Sequence, residues 1–201
     1  MPRRSHELYL ARQGFNGIAG LDEVGRGSWA GPLVACAIKL PKDKRLYKLR
    51  DSKLLFYLER EQLAKTLKKI CDFGFGVVKV EELNKMNLHQ ANLLAYDRAI
   101  KSLKAGVDFI LIDGFRAPNL DYPHKAIIGG DRTCVSIAAA SILAKDFRDK
   151  MMIRLAKKFS KWGFEKHKGY GTKLHQEMLA KHGASDIHRM RFGPIKAIVA
   201  R

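Results

Sequence analysis

A short apolar run that ends in a carboxylate, ILID within VDFILIDG (107–114), constrains the fold of this chain more than any other feature. A strand that is apolar on both faces usually lies inside a sheet that is covered on both sides. A charge that closes such a run is costly unless it is paired, exposed at the end of the sheet or bound to a cation. The run therefore predicts a sheet flanked by helices, with Asp113 at its edge.

The segments on either side of this run alternate between strand and helix patterns. The runs GIAGLDE (17–23) and LVACAIKL (33–40) are bounded by Gly and Pro and have the pattern of paired strands. Helical spacing and β-branched runs predict the other elements, which are a helix at 57–70, strands at 73–80 and 124–131, and helices at 87–105, 136–159, 172–182 and 194–200. This order predicts an α/β fold with a mixed β-sheet flanked by helices.

The chain carries a large and uneven positive charge. Its 201 residues include 38 Lys and Arg against 20 Asp and Glu, a formal charge of +18. Residues 145–201 hold 15 Lys and Arg against 5 Asp and Glu, which is more than half of that excess. Counterion release favours nucleic acid as the partner of such a surface, while a solvated basic face or contact with ribosomes or anionic lipid stays open. We expect a core over 1–160 and a basic helical C-terminal extension over 161–201 that packs on it.

The three cysteines and the N-terminal segment bear on the cellular compartment. Cys36, Cys71 and Cys134 form no close pair and are odd in number, which argues against a disulfide framework and a thiolate zinc site. We expect all three to be reduced and buried. The first residues lack the apolar run of a secretory signal, and no later stretch approaches the ~20 apolar residues that span a bilayer. We expect a cytoplasmic, monomeric protein with no membrane contact.

Four carboxylates stand at the ends of predicted strands. Asp22 and Glu23 close the first strand, Asp113 closes the apolar run, and Asp131 follows a further strand. Strand ends are where α/β folds keep their chemistry, and clustered carboxylate oxygens suit Mg²⁺ or Mn²⁺. Two such cations about 4 Å apart would activate water and stabilise the leaving oxygen in phosphodiester hydrolysis. The four residues are therefore our candidates for a catalytic two-metal site.

Each carboxylate also has a structural interpretation. Adjacent strand residues point to opposite faces, so the contiguity of Asp22 and Glu23 does not by itself create a shared site, and both could pair with Arg26. Asp113 could form an Asx-turn with the following glycine, and Asp131 could cap the next helix. Four such residues in a chain of charge +18 nevertheless favour a metal site surrounded by cations that hold phosphate.

The motifs of the chain resemble those of the bacterial ribonuclease H type 2 family. From about Gly17 to Pro194 they are, in order, GLDEVGRGSWAGPLVACAI, DSKLL, ILIDG, GGD followed by SIAAASILAKDFRD, GYGTKLH and HRMRFGPI. The combination of GLDEVGRG with SIAAASILAK is highly specific. The resemblance implies a ribonuclease H-like fold with a helical C-terminal extension, and it implies that the metal-binding carboxylates are Asp22, Glu23, Asp113 and Asp131.

The resemblance also implies which residues bind the substrate. Gly25, Arg26 and Gly27 match residues that contact the nucleotides flanking an RNA-to-DNA junction, and Tyr170 matches a tyrosine that stacks on a deoxyribose. Glycines let the backbone approach a sugar closely, and the 2′-hydroxyl is the group by which a protein distinguishes RNA from DNA. Further candidates for phosphate contacts are Ser52, Lys53 and Ser136.

The chain departs from the family pattern at two positions. Gly130 stands where the family commonly has Lys, so that one contact is lost or is supplied by Arg132. Arg191 stands where a serine is common. Neither departure changes a carboxylate.

Other polar residues receive structural interpretations. We assign Asp146 and Asp149 on the long predicted helix to helix-surface salt bridges. Four histidines are interpreted as polar surface or packing residues rather than zinc ligands, namely His167, His175, His182 and His188.

Together with these features, the resemblance implies an endonuclease that hydrolyses the RNA strand of RNA/DNA hybrids and cuts 5′ of single ribonucleotides embedded in duplex DNA. Mg²⁺ or Mn²⁺ would be the cofactor, and the products would carry a 3′-hydroxyl and a 5′-phosphate. Another nuclease of the same fold, such as a junction resolvase, would not need a reader of the 2′-hydroxyl. A non-catalytic basic RNA-binding protein is disfavoured because carboxylates repel phosphate unless metal is bound. No motif identifies a replication-clamp partner.

Overall fold

A single five-stranded mixed sheet forms the centre of the computed structural model, which describes residues 2–41, 49, 55–114, 117 and 120–199. The strand order is β3-β2-β1-β4-β5. The strands are β1 (Ile18–Val24), β2 (Leu33–Lys39), β3 (Asp72–Val78), β4 (Phe109–Asp113) and β5 (His124–Ile127). The helices are α1 (Ser5–Arg12), α2 (Tyr57–Ile70), α3 (Val80–Leu83), α4 (Leu88–Lys101), α5 (Gly130–Thr133), α6 (Val135–Lys158), α7 (Phe164–His167), α8 (Lys173–His182) and α9 (Gly193–Val199), with a 3₁₀ turn at Ser160–Trp162.

Strand direction brings the predicted carboxylates to one edge of the sheet. β2 pairs antiparallel with β1 and with β3, whereas β4 runs parallel to both β1 and β5. Leu21 lies beside Ile112, and Asp113 lies beside Ile127. Because parallel strands end at the same edge, the chain segments that follow β1, β4 and β5 meet there. The predicted α/β fold with a mixed sheet is confirmed.

The sheet is covered on both faces, which explains the apolar sequence of β4. Ile110 and Ile112 pack toward α4, in the same cluster as Ala95. Leu111 points the other way and packs against Ile137 of α6. Alternate residues of β4 are thus buried in different layers, as the unbroken apolar run predicts.

Helix α6 lies unusually close to β1. A Cβ atom on Gly20 would lie 2.3 Å from the carbonyl carbon of Ser136, so a larger residue cannot occupy this position without displacing backbone. The small residues Ala138, Ala139 and Ala140 are fully buried on the same helix. This close contact sets the position of α6 along β1 and hence beside Asp22. No helix in the described part of the chain, α6 included, is long and apolar enough to cross a membrane.

Three features differ from the sequence-based expectations. Helices α1, α3, α5 and α7 were not predicted. The strand predicted at 124–131 ends at Ile127, because the left-handed Gly129 (φ 65°) turns the chain into α5. The three cysteines, all of which the structure describes, form no disulfide with one another, but only Cys36 and Cys134 are buried, and Cys71 is half-buried at the end of α2.

Two loops of the C-terminal region contact the chain just after β1. The backbone N–H of Trp29 donates to the carbonyl of Gly169 (2.8 Å), and that of Gly31 donates to the carbonyl of Ile187 (2.9 Å). The segment that follows the predicted GRG motif is therefore held between two parts of the C-terminal region. The proposed boundary between core and extension at residue 160 stays a prediction.

Candidate active site

A cavity of about 380 Å³ lies at the sheet edge where β1 and β4 end. Its lining residues are Asp22, Glu23, Val24, Asp113, Ser141, Lys145 and Tyr170. Three predicted carboxylates and the predicted junction tyrosine therefore share one cavity. Ser141 and Lys145 were not predicted, although both lie in the SIAAASILAK motif, one helical turn apart.

Asp22 faces α6 and is almost fully buried, with 6% exposure. It has a side-chain hydrogen bond with Ser141, and its Oδ1 accepts the backbone N–H of Glu23 (2.8 Å). Burial raises its pKa well above the ordinary value, and the nearby charges of Glu23 and Asp113 raise it further. A bound cation would offset this repulsion, so the donor chemistry of the cavity fits a divalent metal ion.

Glu23 faces the opposite layer, as the alternation of strand residues requires. The Tyr96 hydroxyl of α4 donates to its Oε2, and Asn92 of α4 also bonds its side chain. Arg26 Nη1 lies 3.9 Å from Oε1. Burial raises the pKa of Glu23, against the opposing effects of the Tyr96 hydrogen bond and the Arg26 charge. Tyr96 and Asn92 were not predicted, because they lie on a helix about 70 residues along the chain and match no motif.

The split orientation of these two side chains bears on metal binding. Among the described residues, no three His, Cys, Asp or Glu side chains form a ready-made cluster for a metal ion. Asp22 and Glu23 are nevertheless near enough for the charge of Glu23 to raise the pKa of Asp22. The Tyr96 bond holds Oε2 of Glu23, while the residue lines the same cavity as Asp22 and Asp113.

Asp113 is joined to the segment that carries Asp131. Its Oδ1 accepts the backbone N–H of Gly130 (2.7 Å) and lies 3.4 Å from the backbone N of Asp131. Asp131 is buried in α5, with its Oδ1 4.0 Å from Nε of Arg132, and it does not line the cavity. The structure thus places Asp131 next to Asp113 through the backbone rather than at the cavity wall.

The glycine at 130 has a local role in this arrangement. A Cβ atom there would lie 2.5 Å from Ile137 Cδ1 and 3.3 Å from Asp113 Oδ1. A larger residue would have to displace the end of the Ile137 side chain. In this chain, the backbone N–H of Gly130 donates to Asp113. That Arg132 supplies the contact made by the family's lysine stays a prediction.

The GRG motif forms a turn directly above a buried arginine of α6. Gly25 is left-handed (φ 87°), and a Cβ atom on it would lie 2.2 Å from Arg148 Nε. Around Gly27 no atom lies within 4 Å of such a Cβ. The Arg26 side chain is 49% exposed. The turn therefore packs on Arg148 at Gly25 and is open to solvent at Arg26 and Gly27.

Two buried arginines support this turn. Arg148 donates to backbone carbonyls of three residues, which are Pro32 (2.9 Å), Lys168 (3.0 Å) and Ala30 (3.1 Å). Arg189 donates to the carbonyls of Gly31 (3.0 Å) and Arg26 (3.1 Å). Burial lowers the pKa of Arg189 to about 9. Neither residue was singled out from the sequence, where each is one cation among many in the basic C-terminal region.

Tyr170 is half-buried and lies over two cations. Lys145 Nζ is 5.3 Å and Arg148 Cζ is 5.4 Å from the centre of its ring. Lys145 is itself held by Asp149 at 2.8 Å. The ring therefore lines the cavity while it packs on Lys145 and Arg148. Its stacking on deoxyribose stays a prediction.

Of the predicted phosphate contacts, the structure describes only Ser136, which does not line this cavity. Ser136 is buried, its backbone N–H donates to Glu7 Oε1 (2.8 Å), and it lines a second cavity of about 270 Å³ beside α1. This location gives no support to a phosphate contact there. Ser52 and Lys53 lie outside the described residues.

The acidic residues of α6 form ion pairs, but not at the surface. Asp146 pairs with Lys68 and Lys150, and Asp149 pairs with Arg60 and Lys145, all within 3.2 Å. Both carboxylates are 3% exposed, because α2 packs against this face of α6. The predicted salt bridges are confirmed and their surface location is wrong.

The histidines of the C-terminal region are mainly packing residues. His167, His175 and His188 are buried among the rings of Trp29, Trp162 and Phe164. His182 is half-buried beside Trp162. The interpretation as packing residues is confirmed for the three buried histidines, and a surface location is wrong for them.

Comparison with known proteins shows which family the chain belongs to. Residues 19–194 match the family model described as ribonuclease HII. Ribonuclease HII from Endomicrobium trichonymphae is 46% identical, covering 98% of this chain and 95% of that protein, and the one from Chlamydia pneumoniae is 44% identical, covering 96% and 91%. The ribonuclease H2 of Pyrococcus horikoshii superposes with a TM-score of 0.78 at 25% identity, covering 92% of this chain and 97% of that one. In a complex of PCNA and RNase HII from Archaeoglobus fulgidus, the matching chain has a TM-score of 0.77 at 28% identity, covering 90% and 96%. The chain therefore belongs to the ribonuclease HII family of ribonuclease H enzymes.

Proposed function

We propose that this chain hydrolyses the RNA strand of RNA/DNA hybrids and cuts 5′ of single ribonucleotides embedded in duplex DNA, leaving a 3′-hydroxyl and a 5′-phosphate. The observation that carries the proposal is the shared cavity of Asp22, Asp113 and Tyr170 beside the open GRG turn. One bound substrate could therefore contact both the carboxylates proposed for metal-assisted hydrolysis and the ring proposed for sugar recognition.

Divalent cations, Mg²⁺ or Mn²⁺, would be held by Asp22, Glu23 and Asp113, with Asp131 reached through α5. When bound, such cations supply Lewis acidity toward water and the leaving oxygen. The buried and mutually repelling carboxylates provide the hard oxygen donors that this chemistry needs. The Tyr96 hydroxyl donates to Oε2 of Glu23 and so orients this carboxylate, whose other oxygen would be available to a cation.

Residues around the carboxylates would bind and orient the nucleic acid. Arg26 and Lys145 flank the cavity and would contact phosphate oxygens, which lowers the repulsion between substrate and carboxylates. The backbone of the GRG turn would approach the 2′-hydroxyl, since no atom stands within 4 Å of a Cβ built on Gly27. Tyr170 would present its ring to the deoxyribose on the 3′ side.

Metal-dependent cleavage is tested with a DNA duplex that contains one ribonucleotide, with and without Mg²⁺. We expect cleavage only with Mg²⁺, and we expect Asp113→Asn to lower the rate by at least ~100-fold while its melting temperature stays near that of wild type. Asp97→Asn, which alters a surface ion pair with Lys101 at 2.8 Å, is the matched control. Binding without any Mg²⁺-dependent cleavage would favour the basic RNA-binding protein, and cutting of all-DNA four-way junctions would favour a resolvase.

Junction recognition is tested with Tyr170→Ala on two duplexes, one with a lone ribonucleotide and one with a continuous RNA strand. We expect cleavage at the lone ribonucleotide to fall more than binding does, since misplacing the scissile phosphate by ~1 Å costs more in rate than in affinity. Equal loss on both duplexes would show that Tyr170 is a general structural or binding residue.

The remaining parts of the proposal concern partners and location. We propose that the chain acts as a monomer in the cytoplasm, in ribonucleotide excision repair and DNA replication. The Archaeoglobus fulgidus relative is seen in complex with PCNA. Gel filtration of this chain with a sliding clamp from the same cell tests whether it has a corresponding partner.

A further inference from the structure

A chain of hydrogen bonds between two buried histidines ends on the backbone of Tyr170. His175 and His188 have no measurable exposure, and their Nε2 atoms lie 3.0 Å apart. His175 Nδ1 lies 2.9 Å from the carbonyl oxygen of Tyr170. The two ring nitrogens of His175 therefore connect His188 to Tyr170, the tyrosine that lines the cavity.

The partners of these nitrogens determine the tautomer of each ring. A carbonyl oxygen can only accept, so His175 Nδ1 carries a proton and donates to Tyr170. The backbone N–H of Ser185 donates to His188 Nδ1 (2.8 Å), and the Ser185 hydroxyl lies at the same distance, whereas the Ser185 carbonyl is farther away at 3.3 Å. The shorter backbone bond requires that this nitrogen carries no proton. In neutral rings, His188 Nε2–H must then donate to the bare Nε2 of His175. The bonds run in one direction, from Ser185 through both histidines to Tyr170.

The surroundings keep both rings neutral. Burial lowers the pKa of His175 and of His188 to about 4. His167 stacks on His175 with ring centres 4.3 Å apart. Its Nε2 donates to the Trp162 carbonyl, and its Nδ1 accepts the backbone N–H of Gly169, next to Tyr170.

The same histidines touch the segment that follows the GRG turn. His175 packs against the ring of Trp29, and a Cβ atom on Gly171 would lie 2.3 Å from that ring. His188 is bridged to Ala30, and the N–H of the next residue, Arg189, donates to the Trp29 carbonyl. His175 and His188 thus contact both Tyr170 and the segment that follows the GRG turn, the two elements proposed to recognise the junction.

We propose that the hydrogen-bonded pair His188–His175 is a positioning device that sets the place of the Tyr170 ring relative to the GRG turn, and so determines the preference for an RNA-to-DNA junction. This inference rests on the proposed role of Tyr170. The Tyr170 carbonyl also accepts the backbone N–H of Thr172 (2.8 Å), so it is held from two sides. Loss of the histidine donor would let the residue pivot about the remaining bond rather than unfold the segment.

The tautomers are measured on the wild-type protein by two-dimensional ¹H–¹⁵N NMR of the imidazole nitrogens. We expect a protonated Nδ1 for His175 and a protonated Nε2 for His188 and His167 at neutral pH. A bare Nδ1 on His175 would overturn the proposal, whatever the activity of any variant.

Two substitutions at one position separate the two bonds of His175. In His175→Asn, the side-chain amide nitrogen takes the place of Nδ1 and can still donate to Tyr170, while the bond to His188 is lost. In His175→Gln, the amide reaches the place of Nε2 and can still accept from His188, while the bond to Tyr170 is lost. Both variants lose the ring, so we expect similar losses of melting temperature. His182→Asn, on the same helix but outside this chain of bonds, is the control.

The readout is the junction preference, defined as kcat/KM on the lone-ribonucleotide duplex divided by kcat/KM on the continuous RNA hybrid. We expect His175→Gln to lower it by about tenfold, and we expect His175→Asn and His182→Asn to stay within about twofold of wild type. Equal preferences for the Asn and Gln variants would overturn the positioning role and leave a packing role. If Tyr170→Ala leaves the preference unchanged, the proposed role of Tyr170 fails instead, and the NMR result still decides whether the histidine bonds exist.

Discussion

The two glycines of the GRG motif should respond differently to the same substitution. Gly25→Ala places a methyl group on a left-handed residue and 2.2 Å from Arg148 Nε. Gly27→Ala places the same group where no atom lies within 4 Å. The first change should therefore act on stability and the second on substrate contact.

The size of the Gly25 effect follows from two contributions. A left-handed backbone costs roughly 1–2 kcal/mol for a residue with a Cβ. Arg148 is fully buried and donates to three carbonyls, so moving its guanidinium loses at least one hydrogen bond from a charged donor, which costs roughly 1.5–3 kcal/mol. The sum is about 2.5–5 kcal/mol, which corresponds to a fall in melting temperature of roughly 5–20 °C for a chain of this length.

The matched variant should behave in the opposite way. Replacing a glycine by alanine at a compatible position stabilises by about 0.4–1 kcal/mol, because the unfolded chain loses freedom. We expect Gly27→Ala to melt at or slightly above the wild-type temperature and to cleave a lone-ribonucleotide duplex at least tenfold more slowly, since its methyl group would face the sugar.

Thermal unfolding followed by circular dichroism, together with cleavage of that duplex, checks both expectations. A Gly25→Ala protein that melts within ~2 °C of wild type would refute the reasoning, because the contact with Arg148 would then be relieved without loss. Loss of stability in Gly27→Ala equal to that in Gly25→Ala would refute the separation of the two roles.

Three further predictions concern charged residues and the metal ion. Asp22→Asn should abolish cleavage yet raise the melting temperature of the metal-free protein by about 2–4 °C, for a gain of about 1 kcal/mol. The raised pKa of Asp22 means that the folded state holds its proton more tightly, so wild-type stability falls as pH rises through that pKa, and thermal unfolding at pH 5 and pH 8 should show a larger gain at the higher pH. Mg²⁺ should raise the melting temperature of wild type in proportion to the logarithm of its concentration and leave that of Asp22→Asn nearly unchanged, as calorimetry would show. Lys166→Gln should lower the slope of log affinity against log salt by about one in a binding titration, and an unchanged slope would mean that this exposed lysine contacts no phosphate.

The parts of the fold that sequence patterns predicted are those set by neighbouring residues. Period-two and unbroken apolar runs located the β1–β2 hairpin and β4, because burial on one or both faces leaves a direct trace in the sequence. Helical spacing located α2 and most of α4 and α6 for the same reason. The end of β5 was missed, since one left-handed glycine rather than a change in hydrophobicity ends that strand.

The parts that were missed depend on contacts between distant segments. Nothing near Glu23 in the sequence indicates that Tyr96 will hold its carboxylate. Asp146 and Asp149 looked like surface residues, because the covering helix α2 lies far away in sequence. The hydrogen-bond direction through His175 could be deduced only after both of its partners were in place.

The bond from Arg189 to Gly31, which spans 158 residues of sequence, has a consequence for the life of the polypeptide. During synthesis the segment after β1 leaves the ribosome long before the Arg189 side chain that donates to it, since 158 residues of sequence separate the two partners. Contacts of such sequence separation form late in folding, since the entropy of loop closure must be overcome first. A nascent chain of this protein, surrounded by messenger and ribosomal RNA, therefore cannot complete the support of its GRG turn until Arg189 has been made.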